Sequence, residues 1–445
     1  MTTATFNAPE LQWFQGAKFG IFIHWGIYAV NGKDASWSYY NHGLPGARPD
    51  HHLSKEEYFA QTARFTAAKY DPEAWADLFQ RAGARYAVLT TKHCDDFCLW
   101  PSQVWANNAA QASPAGRDLV GPYCAALRQR GLHVGLYYSH SGWGHPDYPT
   151  VFNENNPPKP GEVLNPNAYP APGCENPAAW QRYVAWRDAQ VKELCDNYSP
   201  ELMWFDADWE RSKRQWDMEN FIAKLRQWRP GIVLNERSCG LGDYKTPEQG
   251  QPLIAPKGVW EYCVTTDRQW GYTEFENDYK PLPHLIRMLV ETVGMGGNLL
   301  LNVGPRADGT ICEEQTSLLE GIGRWLKPNS AAIFDTVAGL PPGYCYAPST
   351  LATDRTAVYL FLFDRPFKDF AVRGIKNNIR SITHLASGTS LTNRMHGGAS
   401  WAGVPGTLWI DVPGELCDPL GTVLKVELDG PLDLYVGEGQ VITQN

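Results

Sequence analysis

Two aspartates at the end of an apolar run are the first residues whose type and position suggest chemistry. The stretch ELMWFDADWE (201–210) places Asp206 directly after four apolar residues and Asp208 two positions later, with Trp204 and Trp209 beside them. Such a run is typical of a buried strand that delivers a carboxylate to a surface. Because carboxylates serve as nucleophiles and as general acids or bases, Asp206 is the first catalytic candidate.

Other apolar runs also end in polar or aromatic side chains. In a parallel barrel these strand ends converge on one mouth, where rings can stack on a sugar and polar groups can bind its hydroxyls. A single residue of this kind is more often a satisfied core residue, but six strand ends together favour a site. They are His24 with Trp25, Lys92 with His93, Tyr137 with Tyr138, Trp204 with Asp206, Asn235 with Arg237, and Trp260 with Glu261.

The motifs of several other catalytic classes are missing from the sequence. It contains no GxSxG, no P-loop and no HExxH, and its ten cysteines form neither a CxxC pair nor a zinc-type spacing. We therefore expect no metal and no cofactor, and reduced structural thiols. With carboxylates as the remaining candidates, a pair about 5–5.5 Å apart would make a retaining glycosidase, and a wider pair an inverting one.

The elements that must position these residues follow a regular order. Seven apolar runs of strand length lie at 19–25, 86–93, 132–140, 202–206, 231–235, 259–262 and 298–305, and segments with helical spacing lie between them at 71–84, 119–131, 177–198, 217–231 and 282–294. Alternating strands and helices predict an α/β fold, an irregular (β/α)8-like TIM barrel over residues 1–335. Short strands with turn residues predict a C-terminal antiparallel β-sandwich over residues 336–445.

Charge and hydropathy limit the partners and the location. The net charge of -9 and the pI of about 5.7, with no basic stripe, argue against nucleic acid. The N-terminal residues do not resemble a secretory signal, and no stretch reaches the roughly 18 apolar residues of a membrane span. We expect a cytoplasmic protein that acts on an oligosaccharide or glycoside and binds no membrane, and a homo-oligomer is compatible with the sequence.

Seven ordered segments resemble the family-29 glycoside hydrolases, the α-L-fucosidases. The resemblance implies a barrel followed by a sandwich, cleavage with retention through a glycosyl-enzyme intermediate, and no metal requirement. It identifies Asp206 as the nucleophile, with Asp208 as the alternative. The segments are 13–28, 69–102, 131–139, 201–210, 243–248, 260–272 and 296–311.

The same resemblance suggests an acid/base residue and a set of sugar contacts. Glu276 in WGYTEFEND matches the spacing of the family's acid/base, Glu274 is the alternative, and Glu261 is expected to support the barrel wall. A raised pKa, as an acid requires, could come from the apolar residues around Glu276. The predicted substrate contacts are His24, Trp25, Trp37, His93, Cys94, Tyr138, Trp204 and Trp260.

Three departures from the family pattern affect the expected pocket. Cys94 stands where the family carries a second histidine, Ser36 where it carries a glutamate, and Val264 where it can carry an arginine. Buried polar contacts to hydroxyls contribute about 1–3 kcal/mol each, so losing them would weaken a fucose site. We expect a retaining exo-α-L-glycosidase that cleaves terminal α-L-fucosyl residues, with another α-L-sugar, such as an α-L-galactoside or α-L-glucoside, as the alternative substrate.

Two alternatives come from other classes of protein. One is an inactive, lectin-like glycan-binding protein. The other is a hydrolase with Cys94 as nucleophile and His93 as base, which the opposite orientation of adjacent strand residues disfavours.

Overall fold

A curled parallel sheet forms the N-terminal part of the chain. The computed structural model describes residues 9–33, 35–40, 52–148, 153–155, 175–275 and 278–437. All neighbouring strands of this sheet are parallel, in the order β5-β4-β3-β2-β1-β7-β6. The strands are β1 (Phe19–Ile23), β2 (Tyr86–Lys92), β3 (His133–Ser139), β4 (Leu202–Asp206), β5 (Val233–Leu234), β6 (Glu261–Thr265) and β7 (Asn298–Val303).

An irregular segment at 244–249 fills the gap between the edge strands β5 and β6. Single parallel bridges join Tyr244 to Asn235 and Glu248 to Cys263. The Cys263 N–H donates to the Pro247 carbonyl at 3.1 Å. Because proline has no N–H, it cannot complete a regular ladder, so this segment closes the barrel without forming a full strand. The predicted irregular eight-position barrel is confirmed.

Nine helices are present in the described ranges. They are α1 (Pro9–Ala17), α2 (Trp37–Tyr40), α3 (Lys55–Ala60), α4 (Pro72–Arg81), α5 (Val120–Gln129), α6 (Pro177–Tyr198), α7 (Met218–Trp228), α8 (Leu282–Gly294) and α9 (Glu313–Asn329). Asp71 and Asn176 accept backbone N–H groups at the starts of α4 and α6, each followed by a proline at the first helical position. No helix in these ranges is both long and apolar enough to cross a membrane.

Strand alternation divides the core into two layers. Phe22, Tyr86 and Trp204 lie together inside the barrel, whereas Ile21 and Phe205 belong to the larger core between sheet and helices. Successive side chains point to opposite faces of a strand, so the residues two positions apart share the interior.

Helix α1 closes the end of the barrel at which the strands begin. The Phe14 ring lies 5.6 Å from Tyr86 and 4.4 Å from Tyr244. The opposite end, where the strands finish, is the mouth.

Two antiparallel sheets follow the barrel and confirm the predicted sandwich. Val358, Leu360, Ile410 and Leu424 are buried between them. The first of their strands, β8, begins at Thr336. The strands are β8 (Thr336–Ala338), β9 (Ser349–Ala352), β10 (Ala357–Leu362), β11 (Asp369–Val372), β12 (Ile379–His384), β13 (Asn393–His396), β14 (Thr407–Asp411) and β15 (Thr422–Leu428), in the orders β12-β15-β10-β9-β8 and β11-β14-β13.

The sandwich packs on the outside of the barrel against α8 and α9. Trp325 of α9 donates its indole N–H to the Gly421 carbonyl at 2.8 Å, and the guanidinium of Arg287 in α8 lies 4.3 Å from the centre of the Phe363 ring. Tyr359, Phe361 and the barrel helices share one hydrophobic core.

Candidate active site

Asp206, the last residue of β4, carries a carboxylate held on both oxygens. Tyr137 donates its hydroxyl to Oδ2 at 2.8 Å, and Arg237 donates Nη1 to Oδ1 at 2.7 Å. The Asp206 side chain is 15% exposed, so it is enclosed yet reachable from the mouth. Two fixed donors hold the carboxylate in one orientation, which is what a nucleophile requires.

Trp204 forms the floor beneath these two donors. Its ring stacks against Tyr137 with a centroid separation of 5.7 Å and an angle of 22°. The Arg237 guanidinium lies 4.7 Å from the centre of the same ring. Alternation along β4 therefore places Trp204 and Asp206 on one face, as their spacing of two residues predicts.

His24 presents a ring nitrogen that can accept a hydroxyl proton. Its Nδ1 lies 2.6 Å from Asn302 Oδ1, and the Asn302 amide nitrogen donates to the Trp270 carbonyl at 2.6 Å. Because that donation turns Oδ1 toward His24, the histidine carries its proton on Nδ1 and leaves Nε2 as an acceptor. Burial, and then the nearby His93, lower the pKa of His24 to about 3, so the ring is neutral near pH 7.

His93 lies beside His24 on the same wall. The two ring centroids are 5.9 Å apart, and His93 stacks almost parallel to Tyr137 at 5.7 Å. Its Nδ1 bonds Ser36 Oγ at 2.7 Å. Burial, and then the nearby Lys92, lower the pKa of His93 to about 3.

Cys94 is buried, and Trp37 lies near it because Trp143 contacts both residues; the Trp143 N–H donates to the Cys94 carbonyl at 2.8 Å. Cys94 Sγ lies 3.2 Å from Ser139 Oγ, and burial raises the pKa of the thiol well above its usual value. Because a buried protonated thiol is a poor nucleophile, the burial of Cys94 disfavours the alternative in which Cys94 is the nucleophile of a hydrolase. Trp37 is half-buried and meets Trp143 edge to face at 5.0 Å.

Tyr138 does not reach the mouth. It points outward from β3, donates its hydroxyl to Gln190 Oε1 at 2.9 Å and lies 4.7 Å from the Lys92 ammonium. Tyr137, one position earlier, faces inward and supplies the aromatic wall that was predicted for Tyr138. A shift of one residue in a strand exchanges the two faces.

Trp25 and Trp260 also lie away from the mouth. Trp25 packs with Phe65, Tyr70 and Trp75 in the outer core. Trp260 precedes β6, so it lies where the strand begins rather than where it ends. The apolar run at 259–262 is short, and a short run does not show where strand pairing begins. Trp260 was therefore predicted at the wrong end of its strand.

Neither the two predicted acid/base residues nor the alternative nucleophile is seen beside Asp206 in the described part of the chain. Glu276 lies outside the described residues. Glu274 is exposed, and its backbone N–H donates to the Gly32 carbonyl at 3.1 Å. Asp208 turns away from the strand after Ala207, whose φ is 62°, and accepts the Cys239 N–H at 2.6 Å. The extended path that would keep Asp208 beside Asp206 is therefore not followed.

Glu248 is a second mouth carboxylate that the sequence analysis did not single out. Arg237 donates Nη1 to Asp206 and Nη2 to Glu248, so one guanidinium joins the two carboxylates. Glu248 lies on the irregular closing segment and is 35% exposed at its side chain. Its motif, DYKTPE, was visible in the resemblance, but only the closed barrel brings Glu248 to the Arg237 guanidinium that also holds Asp206.

Trp270 is a further wall residue, half-buried with its ring 4.9 Å from that of His24.

Within the described ranges, no group of three or more histidine, cysteine, aspartate or glutamate side chains could hold a metal ion. A strand-end carboxylate inside an aromatic-walled barrel mouth is the arrangement of a glycoside hydrolase.

Comparison with known proteins agrees with this class. The family model described as Alpha-L-fucosidase matches residues 2–331. Human tissue alpha-L-fucosidase is 35% identical over 348 residues, covering 74% of this chain and 70% of that protein. The chain belongs to the α-L-fucosidase family, glycoside hydrolase family 29.

Two solved structures share the fold over nearly the whole chain. Alpha-L-fucosidase isoenzyme 1 from Paenibacillus thiaminolyticus has a TM-score of 0.82 and 30% identity, covering 96% of this chain and all of that one. The Thermotoga maritima alpha-fucosidase in complex with a mechanism-based inhibitor has a TM-score of 0.76 and 29% identity, covering 94% and 96%.

Proposed function

We propose that this protein hydrolyses terminal α-L-fucosides with retention of configuration and that Asp206 is its nucleophile. Membership of the α-L-fucosidase family supports L-fucose as the sugar and hydrolysis with retention as the reaction. The observation that carries the proposal is the Asp206 carboxylate, fixed by Tyr137 and Arg237 at the mouth of the barrel.

The reaction takes two displacements. In the first, an Asp206 oxygen bonds to the anomeric carbon while the glycosidic bond breaks, and the leaving oxygen takes a proton from a general acid. In the second, the same residue, now a base, removes a proton from water, which attacks the anomeric carbon and releases Asp206. Each step inverts the anomeric centre, so the product keeps the configuration of the substrate.

Glu248 is the described residue best placed to be that acid/base. Two carboxylates on adjacent nitrogens of one guanidinium are compatible with the separation of about 5–5.5 Å that retaining enzymes use. The closing segment also leaves Glu248 more exposed than Asp206, as access to a leaving group and to water requires. In this assignment Glu276, predicted from the resemblance, contributes no catalytic proton.

The wall residues suit a deoxy sugar. The neutral His24 Nε2 accepts a proton from a sugar hydroxyl, and the half-buried Trp270 ring beside it offers an apolar face. A methyl group at C6 gains contact with such a face, whereas a hydroxyl there would need a partner. This chemistry favours a fucoside over an α-L-galactoside.

Hydrolysis of p-nitrophenyl α-L-fucoside, α-L-galactoside and α-L-glucoside tests the proposal. We expect the fucoside to have the highest kcat/KM, and D206A to lose at least about 10³-fold in kcat. Azide should restore turnover of D206A and give the inverted fucosyl azide. Faster hydrolysis of another glycoside would contradict fucose as the substrate sugar, and the change in specificity would then be attributed to Cys94 and Ser36. Turnover unaffected by D206A would contradict Asp206 as the nucleophile.

A further inference from the structure

A buried carboxyl that the reaction does not touch lies directly below the site. Glu261, the first residue of β6, points into the barrel and has no exposed surface. A carboxyl in such a position destabilises the fold unless its oxygens are bonded. Trp204 donates its indole N–H to Oε1 at 2.9 Å, and Tyr86 donates its hydroxyl to Oε2 at 2.5 Å.

The barrel is shaped to allow these contacts. Tyr86 lies on β2, and its ring must pass across β1 to reach β6. A Cβ on Gly20 would lie 2.4 Å from Tyr86 Cζ, so the missing side chain on β1 leaves the path open. Trp204 reaches Glu261 from β4, on the other side of the barrel interior.

Three successive contacts lead from Glu261 to the nucleophile. The Trp204 ring that Glu261 holds is the ring against which Tyr137 stacks and over which the Arg237 guanidinium lies. Tyr137 and Arg237 are in turn the two donors to Asp206. Both supports of the nucleophile therefore rest on one indole, and that indole has one hydrogen-bond acceptor.

We propose that Glu261 is a positioning residue for glycoside hydrolysis and that it acts by fixing the plane of Trp204. The inference rests on the proposed function. An indole N–H can only donate, so without an acceptor the ring loses the bond that sets its tilt. A tilt of Trp204 moves Arg237 and Tyr137 together, and a displacement of about 1 Å at a reacting group can cost about 10²-fold in rate.

The test compares E261L with a matched control. Glu193 on α6 accepts the Trp100 indole N–H at 2.9 Å and the Gln103 N–H at 2.9 Å, which is the same chemistry away from the mouth. On p-nitrophenyl α-L-fucoside we expect E261L to lose about 10- to 100-fold in kcat with KM changed less than about 3-fold. E193L should remain within about 2-fold of the parent enzyme, and equal kcat values for E261L and E193L would overturn the inference.

A double-variant comparison tests the route through Trp204. W204F keeps a ring but removes the N–H, so W204F/E261L should be no slower than W204F alone. If the two losses multiply, Glu261 does not act through Trp204. W204F and W204F/E261Q should also have equal kcat, and this pair avoids a leucine in the barrel if E261L does not fold.

The conservative variant separates hydrogen bonding from charge. E261Q retains an acceptor for Trp204 and should recover kcat to within about 3-fold of the parent enzyme. A loss in E261Q as large as in E261L would overturn the inference. If the parent enzyme hydrolyses no fucoside, the proposed function fails, whereas an active parent with an unaffected E261L defeats this inference alone.

Discussion

Tyr137 donates its hydroxyl to Asp206 Oδ2 at 2.8 Å, from the neighbouring strand β3. The bond holds the carboxylate oxygen that Arg237 does not hold, and it comes from a ring already fixed by stacking on Trp204. The nucleophile is therefore oriented by groups on three different parts of the barrel.

Replacing Tyr137 by phenylalanine should slow the enzyme without unfolding it. Hydrogen bonds to charged groups contribute about 1.5–3 kcal/mol, so we expect kcat on an aryl fucoside to fall about 10- to 100-fold. Tyr138→Phe is the matched control, because it removes a hydroxyl bonded to Gln190 on the outer face. Equal losses in the two variants would show that the Tyr137 bond to Asp206 has no special role.

The assignment of Glu248 predicts a dependence on the leaving group. In E248Q the hydrolysis of a fucosyl disaccharide should fall far more than the hydrolysis of an aryl fucoside, because p-nitrophenolate leaves without a proton. Azide should accelerate E248Q and give a fucosyl azide of retained configuration. If E276Q shows this behaviour and E248Q does not, the acid/base is Glu276.

Glu261 should make stability depend on pH. Burial raises the pKa of Glu261 from its ordinary value of 4.5 to about 7, although the hydrogen bonds from Tyr86 and Trp204 act in the opposite direction. The folded state therefore binds a proton more tightly than the unfolded chain, and stability decreases as pH rises from 4.5 through 7. The full effect is roughly 3 kcal/mol.

The measurement is urea unfolding of the parent and of E261Q at pH 5 and pH 8. E261Q should gain stability relative to the parent as the pH rises. Burial also raises the pKa values of the neighbouring Tyr86, Tyr244 and Cys263, so these groups stay protonated in this range. Arg237, the nearby cation, stays charged. A difference between the two proteins that does not change with pH would contradict the raised pKa.

The opening at Gly20 should tolerate no side chain. In G20A the new Cβ meets the Tyr86 ring, and we expect a loss of about 1–3 kcal/mol in the free energy of unfolding together with a lower kcat. Gly430→Ala is the control, since a Cβ there meets no atom within 4 Å. Thermal unfolding and aryl-fucoside kinetics on both variants decide the point, and an unchanged G20A would mean that Tyr86 can reach Glu261 by another path.

Much of this architecture could be predicted from the order of the residues. The seven apolar runs correspond to the seven strands, and the helical segments between them correspond to helices. Asp206 and Trp204 share a face because strand alternation is a local property of the backbone. Local patterns sufficed for these features because each depends on residues that are neighbours in the chain.

Other features depend on the register between neighbouring strands and on how the barrel closes. The inward position of Tyr137 rather than Tyr138 requires the alignment of β3 with β4, and Trp260 lies at the wrong strand end because short runs do not reveal where pairing begins. Glu248 becomes a site residue only when a segment with a proline closes the barrel.

The amino-acid sequence by itself determined the barrel, the sandwich, the family and the carboxylate at the end of β4, because periodicity and ordered motifs are written along the chain. Only the tertiary structure decided which groups hold that carboxylate. Tyr137 and Arg237 bond to Asp206 across 69 and 31 residues of chain, and Tyr86 bonds to Glu261 across 175. Such meetings depend on how the sheet curls and on which side chains its interior leaves room for, and neither is a property of any short stretch of sequence.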